Sequence, residues 1–170
     1  MKKRVFQLLV ENTSGVLSRI SGLFARRGYN IESITAGVTA NPAVTRITIV
    51  ASGDDEILEQ IEKQVGKLVD VLNIIELKPD ESVYRELALI KIKCNQTQRN
   101  NIISITDTDA FRANVVDVSK EGLIVEMTAT QHKIDSFLEL IDGYEILEIA
   151  RTGIAGLRRG TDDIFWPDVE

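Results

Sequence analysis

The feature that most constrains the fold is a strand–helix–strand–strand–helix–strand order that occurs twice along the 170-residue chain. The strand patterns alternate apolar and polar residues, whereas the helix patterns repeat apolar residues at a spacing of three or four. The first copy ends near Leu77 and the second begins near Glu86, with the proline-containing segment KPDES between them. This order predicts an α+β chain with two tandem ferredoxin-like βαββαβ domains.

The clearest helix of the first copy follows the polar turn ENTSG at residues 11–15. Its apolar residues recur at helical spacing and predict one buried stripe: Val16, Leu17, Ile20, Leu23 and Phe24. Thr13 or Ser14 is the predicted N-cap, and Gly28 is the predicted left-handed C-cap. In the next strand, alternation predicts Ile31, Ser33 and Thr35 on one face and Glu32, Ile34 and Ala36 on the other.

The repeat also predicts the domain boundaries. We expect an N-terminal domain over residues 1–78, a linker over 79–83, a second domain over 84–158 and a tail over 159–170. The second copy is less regular, because its predicted helix at residues 96–109 has a poor apolar period.

The net charge and the lengths of the apolar runs limit which binding partners and which cellular location we expect. The net charge is −6 with a sequence pI of about 4.9, and no basic stripe is present, which argues against nucleic acid. No apolar run approaches the ~20 residues that cross a bilayer, and the basic start of the chain is interpreted as a first strand, not a signal peptide. The single cysteine excludes an internal disulfide, so we expect a cytoplasmic protein without a membrane partner.

The residue types that catalysis needs are sparse. The one histidine, His132, is predicted at the surface near a helix start, and Cys94 is interpreted as a buried structural thiol. The acids of GDDE, residues 53–56, are typical of a first helical turn. No metal-ligand spacing, Walker loop or dinucleotide-binding glycine motif occurs. We therefore predict no catalytic residue, no metal site and no cofactor in this chain.

Two loops of the first copy could hold a small ligand. ENTSG combines the Asn12 amide, two hydroxyls and, after Gly15, the N–H groups of a helix N-terminus, which favour an anion such as an amino-acid carboxylate. On loop composition alone, a polar turn with a helix cap is the favoured interpretation of the same residues. Asn30, just after Gly28, is either a turn residue or a ligand-binding amide.

Helix length decides how these loops could cooperate. The predicted helix has about thirteen residues and spans about 20 Å at ~1.5 Å per residue. Asn12 and Asn30 therefore cannot contact one amino acid within a single chain. A C2 dimer could bring Asn12 of one chain beside Asn30 of the other and would form two identical sites.

Five segments, in order and over nearly the whole chain, carry a resemblance to a known family: LLVENTSGVLSRISGLFARRGYNIESITAG, RITIV, EQIEKQVGKLVDVL, DAFRANVVDVS and EILEIARTGIAGLRRG. The chain resembles the small, regulatory subunit of acetolactate (acetohydroxyacid) synthase. The resemblance implies an N-terminal ACT domain, a C-terminal ferredoxin-like domain and a homodimer formed through the ACT domain. It implies no catalysis by this chain.

The resemblance also implies a partner, an effector and a site. The partner is a separate catalytic large subunit that carries thiamine diphosphate, Mg²⁺ and FAD and condenses pyruvate in branched-chain amino-acid synthesis. The small subunit would raise its activity and confer feedback inhibition, usually by valine. The implied effector-binding residues are Asn12, Gly15, Val16 and Leu17 of one chain with Asn30 and Ile31 of its partner. Val16, Leu17 and Ile31 would line an apolar pocket, although ordinary core packing also explains them.

Two segments depart from the family pattern, namely residues 95–109 and the terminal DDIFWPDVE. Two other functions are alternatives for a chain with this predicted fold. A stand-alone amino-acid-sensing ACT protein would have the same loops and no synthase partner. A small hydrolase of the acylphosphatase type needs a first loop rich in Gly and Arg, and ENTSG begins with a carboxylate instead. The sequence does not distinguish valine from leucine or isoleucine.

Overall fold

The computed structural model describes residues 1–161, and the terminal segment DDIFWPDVE of the predicted tail lies outside them. The chain forms two compact units, Met1–Val83 together with the segment from Ile154, and Tyr84–Gly153. Each unit contains one sheet with helices, and the prediction of two ferredoxin-like βαββαβ domains is confirmed.

The first unit contains the elements of the first sequence copy in the predicted order. They are β1 (Lys2–Glu11), α1 (Val16–Arg27), β2 (Asn30–Val38), β3 (Val44–Gly53), α2 (Asp55–Val65) and β4 (Val71–Glu76). The strands form an antiparallel sheet in the order β2-β3-β1-β4, so β2 lies at one edge.

The core of the first unit lies between the helices and one face of this sheet. The stripes of α1 and α2 pack on alternate residues of the two central strands, as the helical and strand periods require. The main members are Phe6, Leu8, Val10, Val16, Ile20, Leu23, Phe24, Ile47, Ile49, Ala51, Leu58, Ile61 and Val65. Asp54 is the N-cap of α2, and its carboxylate accepts the Ile57 N–H at 2.8 Å, so the helix-start interpretation of GDDE is confirmed.

A β-bulge in the edge strand overturns the predicted alternation of β2. Ile31 is opposite Ala51, but Ser33 is opposite Val50, so Glu32 is an extra residue. Cross-strand partners share a face. Ile31, Ile34 and Ala36 therefore lie on the helix-covered face, opposite Ala51, Ile49 and Ile47, and Ser33 and Thr35 lie on the other.

The second unit repeats the order from a long central strand. Its elements are β5 (Ser82–Lys93), α3 (Gln96–Thr106), β6 (Asn114–Val118), β7 (Gly122–Ala129), α4 (Gln131–Leu140) and β8 (Glu145–Arg151). The sheet order is β6-β7-β5-β8. A short strand of the segment from Ile154, β9 (Ala155–Arg158), which the sequence patterns did not predict, pairs with β5. α3 forms despite its poor period because Asn95 and Gln98 make a reciprocal capping box.

Three smaller expectations concern the second unit and the membrane. Cys94 is buried, and His132 is an exposed residue of the first turn of α4, as predicted. Within residues 1–161, no group of three or more His, Cys, Asp or Glu side chains could hold a metal ion. No helix in this described part of the chain is long and apolar enough to cross a membrane.

Candidate effector-binding site

The loop between β1 and α1 is tied to the turn between β2 and β3. The Asn12 backbone N–H donates to the Ala43 carbonyl at 2.8 Å, and its Nδ2 donates to the Pro42 carbonyl at 2.8 Å. Asn12 is exposed, so these two bonds hold its side chain against the turn while leaving it accessible. The polar loop therefore lies at the end of the sheet where β2 ends.

The N-terminus of α1 has no capping side chain. Gly15 occupies the N-cap position with a left-handed backbone, φ 83°, and makes no side-chain cap bond. The prediction that Thr13 or Ser14 is the cap is wrong, because the cap hydroxyl must belong to the residue directly before the first helical turn. First-turn N–H groups without a side-chain cap, together with the helix dipole, favour an anion at this end.

An ion pair between Arg19 on α1 and Asp70 lies next to this loop. Arg19 donates to Asp70 twice, from Nε at 2.5 Å and from Nη2 at 3.0 Å, and the Asp70 carbonyl accepts the Glu11 N–H at 2.9 Å. The Arg19 guanidinium holds the pKa of the Asp70 carboxyl below its ordinary value. A Cβ on Gly15 would lie 2.9 Å from Arg19 Nη1, so this position has little room for a side chain. No local sequence pattern points to this pair, since Arg19 and Asp70 lie 51 residues apart.

Asn30 is the first residue of β2 and not part of the turn. Gly28 ends α1 with φ 66°, as predicted, and the Tyr29 N–H closes the helix on the Phe24 carbonyl at 3.0 Å. Asn30 is exposed and its Nδ2 donates to Ser52 Oγ at 3.2 Å. Its backbone φ is not positive, so the turn does not require an asparagine here.

The apolar candidates divide between core and surface. Val16 is buried in the core, Ile31 is half-buried against it, and Leu17 is 48% exposed. Leu17 lies with Asn12 and Gly15 at one end of α1, whereas Asn30 and Ile31 follow its other end. One chain therefore presents the six candidates as two separate groups, as the helix length predicted.

Comparison with known proteins shows the family to which this chain belongs. Residues 6–73 match a family model described as the AHAS small subunit-like ACT domain, and residues 85–160 match one described as the small subunit of acetolactate synthase. The acetolactate synthase small subunit of Mycolicibacterium smegmatis is 47% identical over 153 residues, covering 90% of this chain and 89% of that protein. The chain belongs to the acetolactate synthase small-subunit family.

Two further relatives agree over nearly the whole length of the small subunit. The isozyme 3 small subunit of Escherichia coli is 45% identical over 159 residues, covering 93% of this chain and 96% of that protein. The crystal structure of the small subunit from Thermotoga maritima superposes with a TM-score of 0.82 at 38% identity and covers 95% of this chain and 99% of that one. The resemblance drawn from the sequence is confirmed.

Membership settles the class of the molecule. The chain is a non-catalytic regulatory small subunit with an ACT domain, and the catalytic activity of acetolactate synthase belongs to the large subunit. A catalytic subunit is therefore its partner.

Proposed function

We propose that this small subunit activates the catalytic subunit of acetolactate synthase and confers feedback inhibition by a branched-chain amino acid, with valine as the preferred effector. The effector site is formed across a homodimer by Asn12, Gly15, Val16 and Leu17 of one chain and Asn30 and Ile31 of the other. Thiamine diphosphate, Mg²⁺ and FAD belong to the catalytic subunit, and the complex works in the cytoplasm.

The observation that carries the dimer is the position of the two asparagines relative to the edge strand. Asn30 begins β2, whereas Asn12 is bonded to the turn that follows the end of β2 at Val38. If β2 pairs with β2 of a second copy in antiparallel fashion, the start of one strand lies beside the end of the other. The partner's Asn30 would then lie at the end of the sheet that carries Asn12.

The edge strand also has the surface that a second copy needs. Ile34 and Val38 on β2 are 37% and 60% exposed, and Leu17 on α1 is 48% exposed. β2 is a nine-residue strand at the sheet edge, with β3 as its one neighbour in the described sheet, and such an edge strand with apolar side chains is a ready template for strand addition. A second copy of the chain is the occupant that would also complete the asparagine pair.

The polar groups fit an amino acid. The uncapped first turn of α1 would bind the carboxylate, the asparagine amides would bind the ammonium group, and exposed apolar residues such as Leu17 would contact the branched side chain. Binding at a dimer interface would favour one arrangement of the dimer over another. A typical coupling of ~1–3 kcal/mol corresponds to a roughly 5- to 150-fold change in affinity between the two states.

We assign effector binding and dimerisation to an ACT domain over residues 1–78, joined by a linker over 79–83 to a C-terminal domain over 84–158. The polar loop, the uncapped helix and the edge strand all lie within the first of these ranges. The C-terminal domain is the second surface available to the catalytic subunit.

Reconstitution with the catalytic subunit tests the proposal. Activity is measured with and without valine, leucine and isoleucine for the natural chain and for Asn12→Ala. We expect valine to inhibit the natural complex and Asn12→Ala to remain activating while losing inhibition. Unchanged inhibition of the Asn12→Ala complex would reject the site. Failure of the chain to bind or activate any catalytic subunit would favour a stand-alone amino-acid sensor.

A further inference from the structure

One row of polar residues crosses three strands beside Asn30. Lys3 on β1 is directly opposite Ser52 on β3, and Ser52 is directly opposite Asn30 on β2. The bulge inserts Glu32 into the edge strand two residues after Asn30. The Glu32 carboxylate forms an ion pair with Lys3 Nζ at 2.5 Å.

The donors and acceptors in this row have a single direction. Ser52 is only 6% exposed, and its Oγ accepts a hydrogen bond from Asn30 Nδ2 at 3.2 Å, which leaves the hydroxyl proton for another acceptor. The Glu32 carboxylate is that acceptor, since the Ser52 hydroxyl contributes to the lowering of its pKa. The Lys3 ammonium and, to a smaller extent, the Ser52 hydroxyl hold the pKa of the Glu32 carboxyl below its ordinary value, so this acceptor stays ionised.

The row therefore selects one of the two orientations of an amide whose oxygen and nitrogen are otherwise interchangeable. With Nδ2 turned to Ser52, the Asn30 side chain presents Oδ1, which only accepts hydrogen bonds, to its surroundings. An acceptor at this point is suited to an ammonium group and not to a carboxylate.

Resting on the proposed effector site, we propose that Ser52 and Glu32 are positioning residues that orient the Asn30 amide so that its oxygen accepts a hydrogen bond from the effector's ammonium group. Neither residue touches the effector. Their effect is to remove the amide orientation that would meet the ammonium with another donor.

The test is calorimetric titration of the full chain with L-valine and with the 2-keto acid of the same skeleton, which has no donor at that carbon. Ser52→Ala removes the hydroxyl that accepts the Asn30 hydrogen bond, whereas Ser52→Thr keeps a hydroxyl at this position. Ser33→Ala is the matched control, because the buried Ser33 hydroxyl has no hydrogen-bond partner among the described residues. Glu32→Gln gives a second, more exposed variant, so the test does not depend on the folding of one protein.

We expect Ser52→Ala and Glu32→Gln to weaken valine binding about 3- to 10-fold, the value of one hydrogen bond, with Ser52→Thr and Ser33→Ala within about 2-fold. The ratio of valine to keto-acid affinity should fall in Ser52→Ala, which a general loss of stability would not produce. Natural valine binding in both Ser52→Ala and Glu32→Gln, with Asn30→Ala impaired, would overturn the positioning role alone. No binding of valine, leucine or isoleucine to the natural chain would instead overturn the proposed function.

Discussion

Arg19 and Asp70 form an ion pair next to Gly15, with Nε–Oδ2 and Nη2–Oδ1 distances of 2.5 and 3.0 Å. Arg19 belongs to α1 and Asp70 to the turn before β4, and the Asp70 carbonyl also accepts the Glu11 N–H at the end of β1. One carboxylate residue therefore joins the three elements that surround the polar loop. The pair adds to the two Asn12 hydrogen bonds that hold this loop against the turn after β2.

The Arg19–Asp70 ion pair predicts how the stability of the protein changes at acidic pH. Arg19 lowers the folded-state pKa of Asp70 below the ordinary 3.8, so the stabilisation is complete above that value and is lost as the pH falls through the folded pKa. We expect the natural chain to lose more stability than Asp70→Asn between about pH 5 and about pH 2.5. Urea unfolding at a series of pH values measures the difference. Parallel acid dependence of the two proteins would contradict the prediction.

Alanine substitutions at three glycines distinguish the energetic cost of backbone strain from that of a steric contact. Gly15 has φ 83° and a Cβ there would lie 2.9 Å from Arg19 Nη1, Gly28 has φ 66° with open space, and Gly143 has open space without a positive φ. A left-handed alanine costs about 1–2 kcal/mol. We therefore expect stability to fall in the order Gly143→Ala, Gly28→Ala, Gly15→Ala, with Gly15→Ala the least stable.

Chemical denaturation of the three variants gives this order directly. Gly143→Ala serves as the control for alanine replacement as such. If Gly15→Ala proved no less stable than Gly28→Ala, the close approach of Arg19 would carry no cost, because the side chain would simply move aside.

The proposed dimer predicts that a charge on the edge strand separates the chains. Val38→Asp would place an unpaired carboxylate in the pairing of β2 with its copy, beside the first residues of the partner strand, and burying an unpaired charge is costly. We expect a monomer by analytical ultracentrifugation and the loss of valine binding, because Asn30 would no longer reach Asn12 of the other chain.

Val69→Asp is the matched control, since Val69 is an apolar residue that is 91% exposed and lies outside β2. It should stay dimeric and bind valine. A dimeric Val38→Asp protein that still binds valine would place the interface elsewhere.

An ion-pair network around one buried carboxylate predicts which substitution destabilises the second unit. Glu86 is 3% exposed and accepts two bonds from Arg151 at 3.0 Å each, and Arg151 also donates to Asp135 on α4 at 2.9 Å. Removing one partner of a buried pair leaves an uncompensated charge and costs about 3–5 kcal/mol. Because Arg151 is partly exposed, we expect Arg151→Met to cost about 2–3 kcal/mol.

The contrast is with a surface pair of the same sheet. Lys93 and Glu145 are 3.6 Å apart and both exposed, so Lys93→Gln should change the unfolding free energy by less than about 1 kcal/mol. Thermal or urea unfolding of the two variants compares them. Equal losses would mean that the Glu86 carboxylate is hydrated after Arg151 is removed.

Particular elements mark the limit of prediction from the sequence. The stripe of apolar residues predicts α1, and the glycine after two arginines predicts that the helix ends at Gly28. Both signals are local in the sequence. The N-cap was misplaced, because Thr13, Ser14 and Gly15 are adjacent and only the backbone angles decide which one begins the helix. β9 was missed because its four residues are too short to have a pattern.

The sequence by itself determined the repeated strand and helix order, the helix faces and the family, and it placed the two asparagines at opposite ends of α1. These properties follow from local periodicity and from residue identity along the chain. Only the tertiary structure decided that Glu32 forms a bulge, that Asn30 donates to Ser52 and that Asp70 pairs with Arg19. The reason is physical, because strand register and ion pairing join residues that are 22 and 51 positions apart.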